Sequence, residues 1–135
     1  MEITEISSLA LAFYGDAVYE LYVRRQLVKS GQGKPDRLHK SAVEKVCASY
    51  QAAAVHRIEG LLSEKEADVL RRGRNASGVK APKHANVIDY RYATGLEALI
   101  GWLALTEQNE RIDFLMQVIL TPEENYPKGT EDCEK

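Results

Sequence analysis

Apolar positions recur along the chain at three- and four-residue steps, and no stretch alternates apolar and polar residues as a half-buried strand would. Over about residues 4–30, Ile6, Leu9, Phe13, Ala17, Leu21 and Val28 fall on one helical stripe. Gly31, Gly33 and Pro35 stop that helix. A second helical region covers about residues 36–59, with Leu38, Ala42, Val46, Tyr50, Ala54 and Ile58, and has room for a break inside it. Ser63-Glu64-Lys65-Glu66 has the spacing of a capping box and opens a short helix to about residue 74. Residues 75–86 hold two breakers, Gly78 and Pro82, and read as a loop. A strongly apolar helix follows over about residues 90–106. Val87 to Tyr92 has strand propensity but nothing to pair with, so helix entry is expected there. A last helix over about residues 110–120 shows Ile112, Leu115, Val118 and Ile119 on one side, and Pro122 ends it. The pattern predicts an all-α fold, with one domain over residues 1–121 and a flexible acidic tail over 122–135.

Composition agrees with a globular domain: 44% of the 135 residues are apolar and 28% charged, enough to bury a core without covalent staples. The two cysteines, Cys47 and Cys133, form neither a disulfide framework nor a CxxC metal pattern, and both read as free thiols. Glu2 and Glu5 stand where a secretory leader carries basic residues, and the longest charge-poor stretches reach about half of a membrane span. A cytoplasmic protein without a membrane partner is expected.

Charge changes the picture more. The formal net charge is −2, but Arg71 to Tyr92 contains six basic residues and one acid, Asp89. Arg71, Arg72, Arg74, Lys80, Lys83 and His84 therefore mark a candidate RNA-binding segment, because local clustering rather than the total makes an anion-binding surface. The bland alternative is a solvated loop.

Two carboxylates stand out by their surroundings. Asp16 is the only charged residue from Ile6 to Tyr19, and Glu97 the only one from Tyr92 to Thr106. A lone carboxylate in an apolar helix is costly unless paired, hydrogen-bonded or metal-bound. Gly15 adjoins Asp16, and Gly95 and Gly101 flank Glu97; helical glycine often marks a close backbone approach. The simplest arrangement crosses the two helices at their glycines and sets Asp16 opposite Glu97. A divalent cation between them would relieve the repulsion, and hard oxygen ligands favour Mg²⁺ or Mn²⁺ over zinc. Alternatively, each acid bonds privately to a neighbouring hydroxyl, amide or lysine. Glu20 precedes Arg24 by four residues and reads as a surface pair. His39, His56 and His84 show no metal-ligand spacing.

These residues resemble a known family. Leu11-Ala12-Phe13-Tyr14-Gly15-Asp16-Ala17-Val18 is similar to the signature helix of ribonuclease III, and Leu96-Glu97-Ala98-Leu99-Ile100-Gly101 to its second acidic motif. Only 38 residues follow Glu97 here, so a double-stranded-RNA-binding domain is not expected among them. Arg71-Arg72-Gly73-Arg74-Asn75-Ala76 and Tyr90-Arg91-Tyr92-Ala93-Thr94-Gly95 resemble the short Mini-ribonuclease III branch in particular. The resemblance implies a helical ribonuclease III-type endonuclease domain. It implies a homodimer that cleaves double-stranded RNA with Mg²⁺, with Mn²⁺ as a substitute, and matures the ends of 23S ribosomal RNA. It maps catalysis and metal binding onto Asp16 and Glu97. Full-length members carry two further acids where this chain has Ala12 and Thr94, and Thr94 could instead lend a hydroxyl or position a water. An auxiliary ribosomal protein is a compatible partner. The other reading is a non-catalytic RNA-binding or ribosome-assembly module of the same fold. A homodimer is also expected from apolar surface around Phe13, Leu21 and Trp102.

Overall fold

The computed structural model describes residues 2–31 and 33–122, which contain six α-helices and no strand. They are α1 (Ser8–Lys29), α2 (Pro35–Val46), α3 (Ala48–Ile58), α4 (Glu64–Arg74), α5 (Val87–Leu105) and α6 (Asn109–Leu120), with 3₁₀ turns at Ile3–Glu5 and Glu59–Leu61. The proposed acidic tail lies almost wholly outside the described residues.

Local chemistry sets most of the boundaries. The Ser7 hydroxyl accepts from the Ala10 amide (3.1 Å) and starts α1, and Gly31, at φ +87°, ends its C-terminal turn. Pro35 opens α2, where a missing amide hydrogen costs nothing. The long second region does break: Cys47 adopts extended backbone (φ −74°, ψ 158°) between α2 and α3. The structure records Cys47 in a disulfide, which corrects the free-thiol reading; Cys133 lies outside the described residues. Ser63 and Glu66 form the capping box of α4 at 3.1 and 2.8 Å. Asn86 caps α5 through the Asp89 amide (3.1 Å), so residues 87–92 enter a helix as expected.

Helix α5 is the axis of the domain and packs against α1, α3 and α4. Leu96, Leu99, Ile100 and Leu103 on it are fully buried. Burial of each contributes about 1.5–3 kcal/mol, which places most of the stabilising apolar area around this helix. Tyr19 of α1 is also fully buried, and its hydroxyl donates to the Lys45 carbonyl (2.6 Å), tying α1 to the end of α2. The Tyr50 hydroxyl and Arg57 Nη1 both donate to the Ile119 carbonyl (3.1 Å each), satisfying the last turn of α6. Arg111 Nε and Nη2 hold the Glu66 carboxylate at 2.8 Å each, joining the first turn of α4 to that of α6.

The face of α1 that packs inward differs from the stripe read in the sequence. Leu11, Ala12, Gly15, Tyr19, Val23 and Leu27 are buried. Phe13 is 85% exposed, Leu21 54% and Val28 65%. Helix α1 is apolar on two faces, and the periodic stripe is the one this chain leaves uncovered. Trp102 is different: it is half-buried against both core clusters, with the Lys65 ammonium over its ring at 5.9 Å. The expectation that Trp102 belongs to an uncovered face is thereby corrected.

Candidate active site

The glycines expected at the helix crossing serve two crossings. A Cβ on Gly15 would collide with the Glu97 carbonyl oxygen, and one on Gly101 with the Leu11 carbonyl oxygen, so α1 and α5 meet backbone to backbone there. Gly95 points elsewhere: a Cβ on it would lie 2.7 Å from the Leu70 carbonyl oxygen of α4, where Gly73 offers the reciprocal gap. Helix α5 is thus clamped on two sides, and Glu97 sits between the two close approaches.

Beside the α1–α5 crossing lies a cleft of about 220 Å³. Ala12, Phe13 and Asp16 of α1 line it together with Thr94 and Glu97 of α5 and Lys80 of the 75–86 loop. Asp16 and Glu97 are both half-buried. The two acids singled out in sequence therefore share one cavity. So do Ala12 and Thr94. Among the described residues no cluster of three metal-ligating His, Cys, Asp or Glu side chains forms. The Thr94 hydroxyl donates to the Tyr90 carbonyl one turn back (3.0 Å), which leaves its oxygen lone pairs to accept a hydrogen bond.

The loop does not simply project from the surface. Gly78, at φ +88°, turns the chain back so that its Cα side approaches Leu9 of α1; a Cβ there would be 3.6 Å from the Leu9 side chain. The Arg91 guanidinium donates to the Arg74 (3.3 Å) and Ala76 (3.5 Å) carbonyls and fastens the loop's first residues to α5. Gly78, Val79 and Lys80 thereby form one wall of the cleft. Lys80 is itself exposed at the edge of the cleft, as are Lys83 and His84 further along the loop.

The basic residues on α4 have company that the charge count from Arg71 onward left out. Asp68 is ion-paired with Arg71 and, at 3.0 Å, with Arg72 Nε. Arg74 lies over the Tyr92 ring (5.5 Å), whose other neighbour is the His56 ring (5.0 Å). Glu20 and Arg24 form the expected surface pair at 3.1 Å.

The geometry has counterparts in known proteins. Residues 9–108 match the model of the ribonuclease III domain family. The chain is 46% identical over 116 residues to the Mini-ribonuclease 3 of a Thermoanaerobacter species, covering 86% of this chain and 82% of that protein. It is 42% identical over 118 residues to the Mini-ribonuclease 3 of Streptococcus pneumoniae, covering 86% of this chain and 92% of the relative. A crystal structure of a Fusobacterium nucleatum protein superimposes with a TM-score of 0.81 at 31% identity, covering 89% of this chain and 98% of that one.

Proposed function

Because the chain belongs to the ribonuclease III family and is a ribonuclease III-type endoribonuclease, we propose that it hydrolyses double-stranded RNA in the cleft of Asp16 and Glu97. One observation carries this reading: two carboxylates from helices far apart in sequence line one cavity, with a lysine on its rim.

The donor set fits Mg²⁺. Two hard carboxylate ligands on rigid helices suffice for an ion that keeps several of its waters, and the glycine crossing holds those helices together. Mn²⁺ has the same ligand preference. A divalent cation bound there would supply an acidified water and offset charge on the scissile phosphate. Asp16 and Glu97 would hold it, and the Thr94 hydroxyl oxygen would orient a water through its lone pairs. Lys80, Lys83, His84, Arg71, Arg72 and Arg74 contact the phosphate backbone of the duplex. Recognition is then mainly of A-form shape.

The functional unit is a homodimer joined through the exposed apolar stripe of α1, since Phe13 and Leu21 are otherwise left in water. A two-fold pair presents one cleft to each strand of a duplex. The family likeness supports a cytoplasmic role in maturing the ends of 23S ribosomal RNA, with a ribosomal protein as auxiliary. No helix among the described residues is long and apolar enough to cross a membrane. The deciding experiment incubates the protein with long duplex RNA, with and without Mg²⁺. Fragments that appear only with the metal support the reading, and intact RNA under both conditions overturns it.

A further inference from the structure

We propose that Lys80 is a catalytic residue of this cleft, placing a fixed positive charge on the phosphate under attack; this rests on the nuclease reading above. Two observations lead to it. Lys80 lines the same cavity as Asp16 and Glu97, whereas Lys83 and His84, three and four positions on, do not. The cavity's other polar positions, Tyr90 and Thr94, are neutral, and no third metal-ligating side chain completes a cluster among the described residues. The protein thus offers two negative charges and one positive charge to a phosphate and a divalent ion. A ring of four acids would instead need a second cation to balance it.

The loop backbone is held beside the cleft. The turn at Gly78 and the bonds from Arg91 to the Arg74 and Ala76 carbonyls bring residues 78–80 against α1. The turn sets the backbone position from which the exposed Lys80 side chain lines the cleft.

In the step itself, the oxygen of a water bonds to phosphorus and one ribose–phosphate bond breaks. The water gives up a proton to solvent, and the departing ribose oxygen takes one up. Lys80 keeps its protons and donates hydrogen bonds to a non-bridging phosphate oxygen, where charge builds as the fifth bond to phosphorus forms. A donor aimed at developing charge acts mainly on the rate of the bound complex and less on affinity.

The test combines single-turnover cleavage of a short duplex RNA at saturating protein with Mn²⁺ binding to the RNA-free protein, followed by electron paramagnetic resonance. Lys80→Ala lowers the saturated rate on the order of 100-fold. The same variant binds Mn²⁺ at least about threefold more tightly, because a like charge beside the carboxylates is gone. Lys80→Arg keeps wild-type Mn²⁺ affinity and recovers part of the rate. A saturated rate of Lys80→Ala within about twofold of wild type, or an unchanged Mn²⁺ affinity, overturns the assignment. Wild-type protein that neither binds Mn²⁺ nor cuts duplex RNA overturns the nuclease reading itself, and the wild-type arm tells the two failures apart.

Discussion

Gly15 leaves no space for a side chain against the main-chain carbonyl of Glu97: a Cβ there would overlap the carbonyl oxygen and lie 2.7 Å from both the carbonyl carbon and the Gly101 nitrogen. The obstacle is backbone, which cannot rotate away. Gly15→Ala therefore forces α1 and α5 apart and costs about 3 kcal/mol, the upper end for overpacking. Urea denaturation of the two proteins measures it, and a loss under about 1 kcal/mol would show that the crossing can slide.

Asp16→Asn and Glu97→Gln keep the size of each side chain but remove the ligand charge. Each variant is expected to fold, to bind duplex RNA and to show no Mg²⁺-dependent cleavage. Gel-resolved cleavage beside a binding titration checks this. A variant that cuts within a few-fold of wild type is struck from the site.

Phe13 and Leu21 head an apolar stripe that this chain leaves in water. The expected species in solution is a dimer, and Phe13→Glu is expected to yield monomers by placing a charge in its interface. Light scattering at micromolar concentration reads the mass directly. A wild-type monomer, or a dimer untouched by the charge, would move the interface elsewhere.

Salt dependence separates the loop from α4. Lys83 is exposed on the loop, while Arg71 and Arg72 already share Asp68. Lys83→Ala is expected to flatten the log–log salt slope of duplex binding by about one unit. Replacing Arg71 or Arg72 should change it by less, since a phosphate must first compete with Asp68. Affinities at several salt concentrations decide, and an unchanged slope for Lys83→Ala removes that residue from the RNA surface.

The Arg111 guanidinium holds the Glu66 carboxyl below the usual carboxylate range, against burial, which alone would raise it; the Ser63 amide adds to the lowering. A depressed acid stabilises the fold above its unfolded value, near 4.5, and that contribution is lost as pH falls through the lower folded value. Thermal stability is thus expected to be insensitive to this pair at neutral pH and to decline below about pH 4.5. Glu66→Gln removes the paired charge, costs about 2 kcal/mol at neutral pH and flattens the acid limb. Melting curves across pH for both proteins test the sign.

Much of this fold is written in local sequence, because its stops and starts are local chemistry. Ser63 with Glu66, Gly31, Pro35 and Gly78 each fix a boundary through neighbours a few residues away. Asp16 and Glu97 were legible for a different reason: a single charge in an apolar helix is conspicuous whatever surrounds it. What stayed hidden depends on partners distant in sequence. Periodicity marks the Phe13 stripe as apolar but cannot tell a face covered by α5 from one left open. Arg71 and Arg72 looked unopposed because Asp68 lies just upstream of the basic run. Gly95 and Gly101 look alike in sequence, yet one admits α4 and the other α1. Lys80 read as one more loop cation, since only the turn at Gly78 brings it to the carboxylates.

The α1–α5 crossing joins stretches of chain more than eighty residues apart. Asp16 therefore leaves the ribosome more than eighty residues ahead of Glu97, and the cleft between them forms only after both have emerged. Until Glu97 has left the ribosome, α1 has α2 to pack against but lacks α5, its main partner. The two acids of the proposed site thus stay apart on a nascent chain until α5 has been made, so order of synthesis itself delays assembly of the cleft.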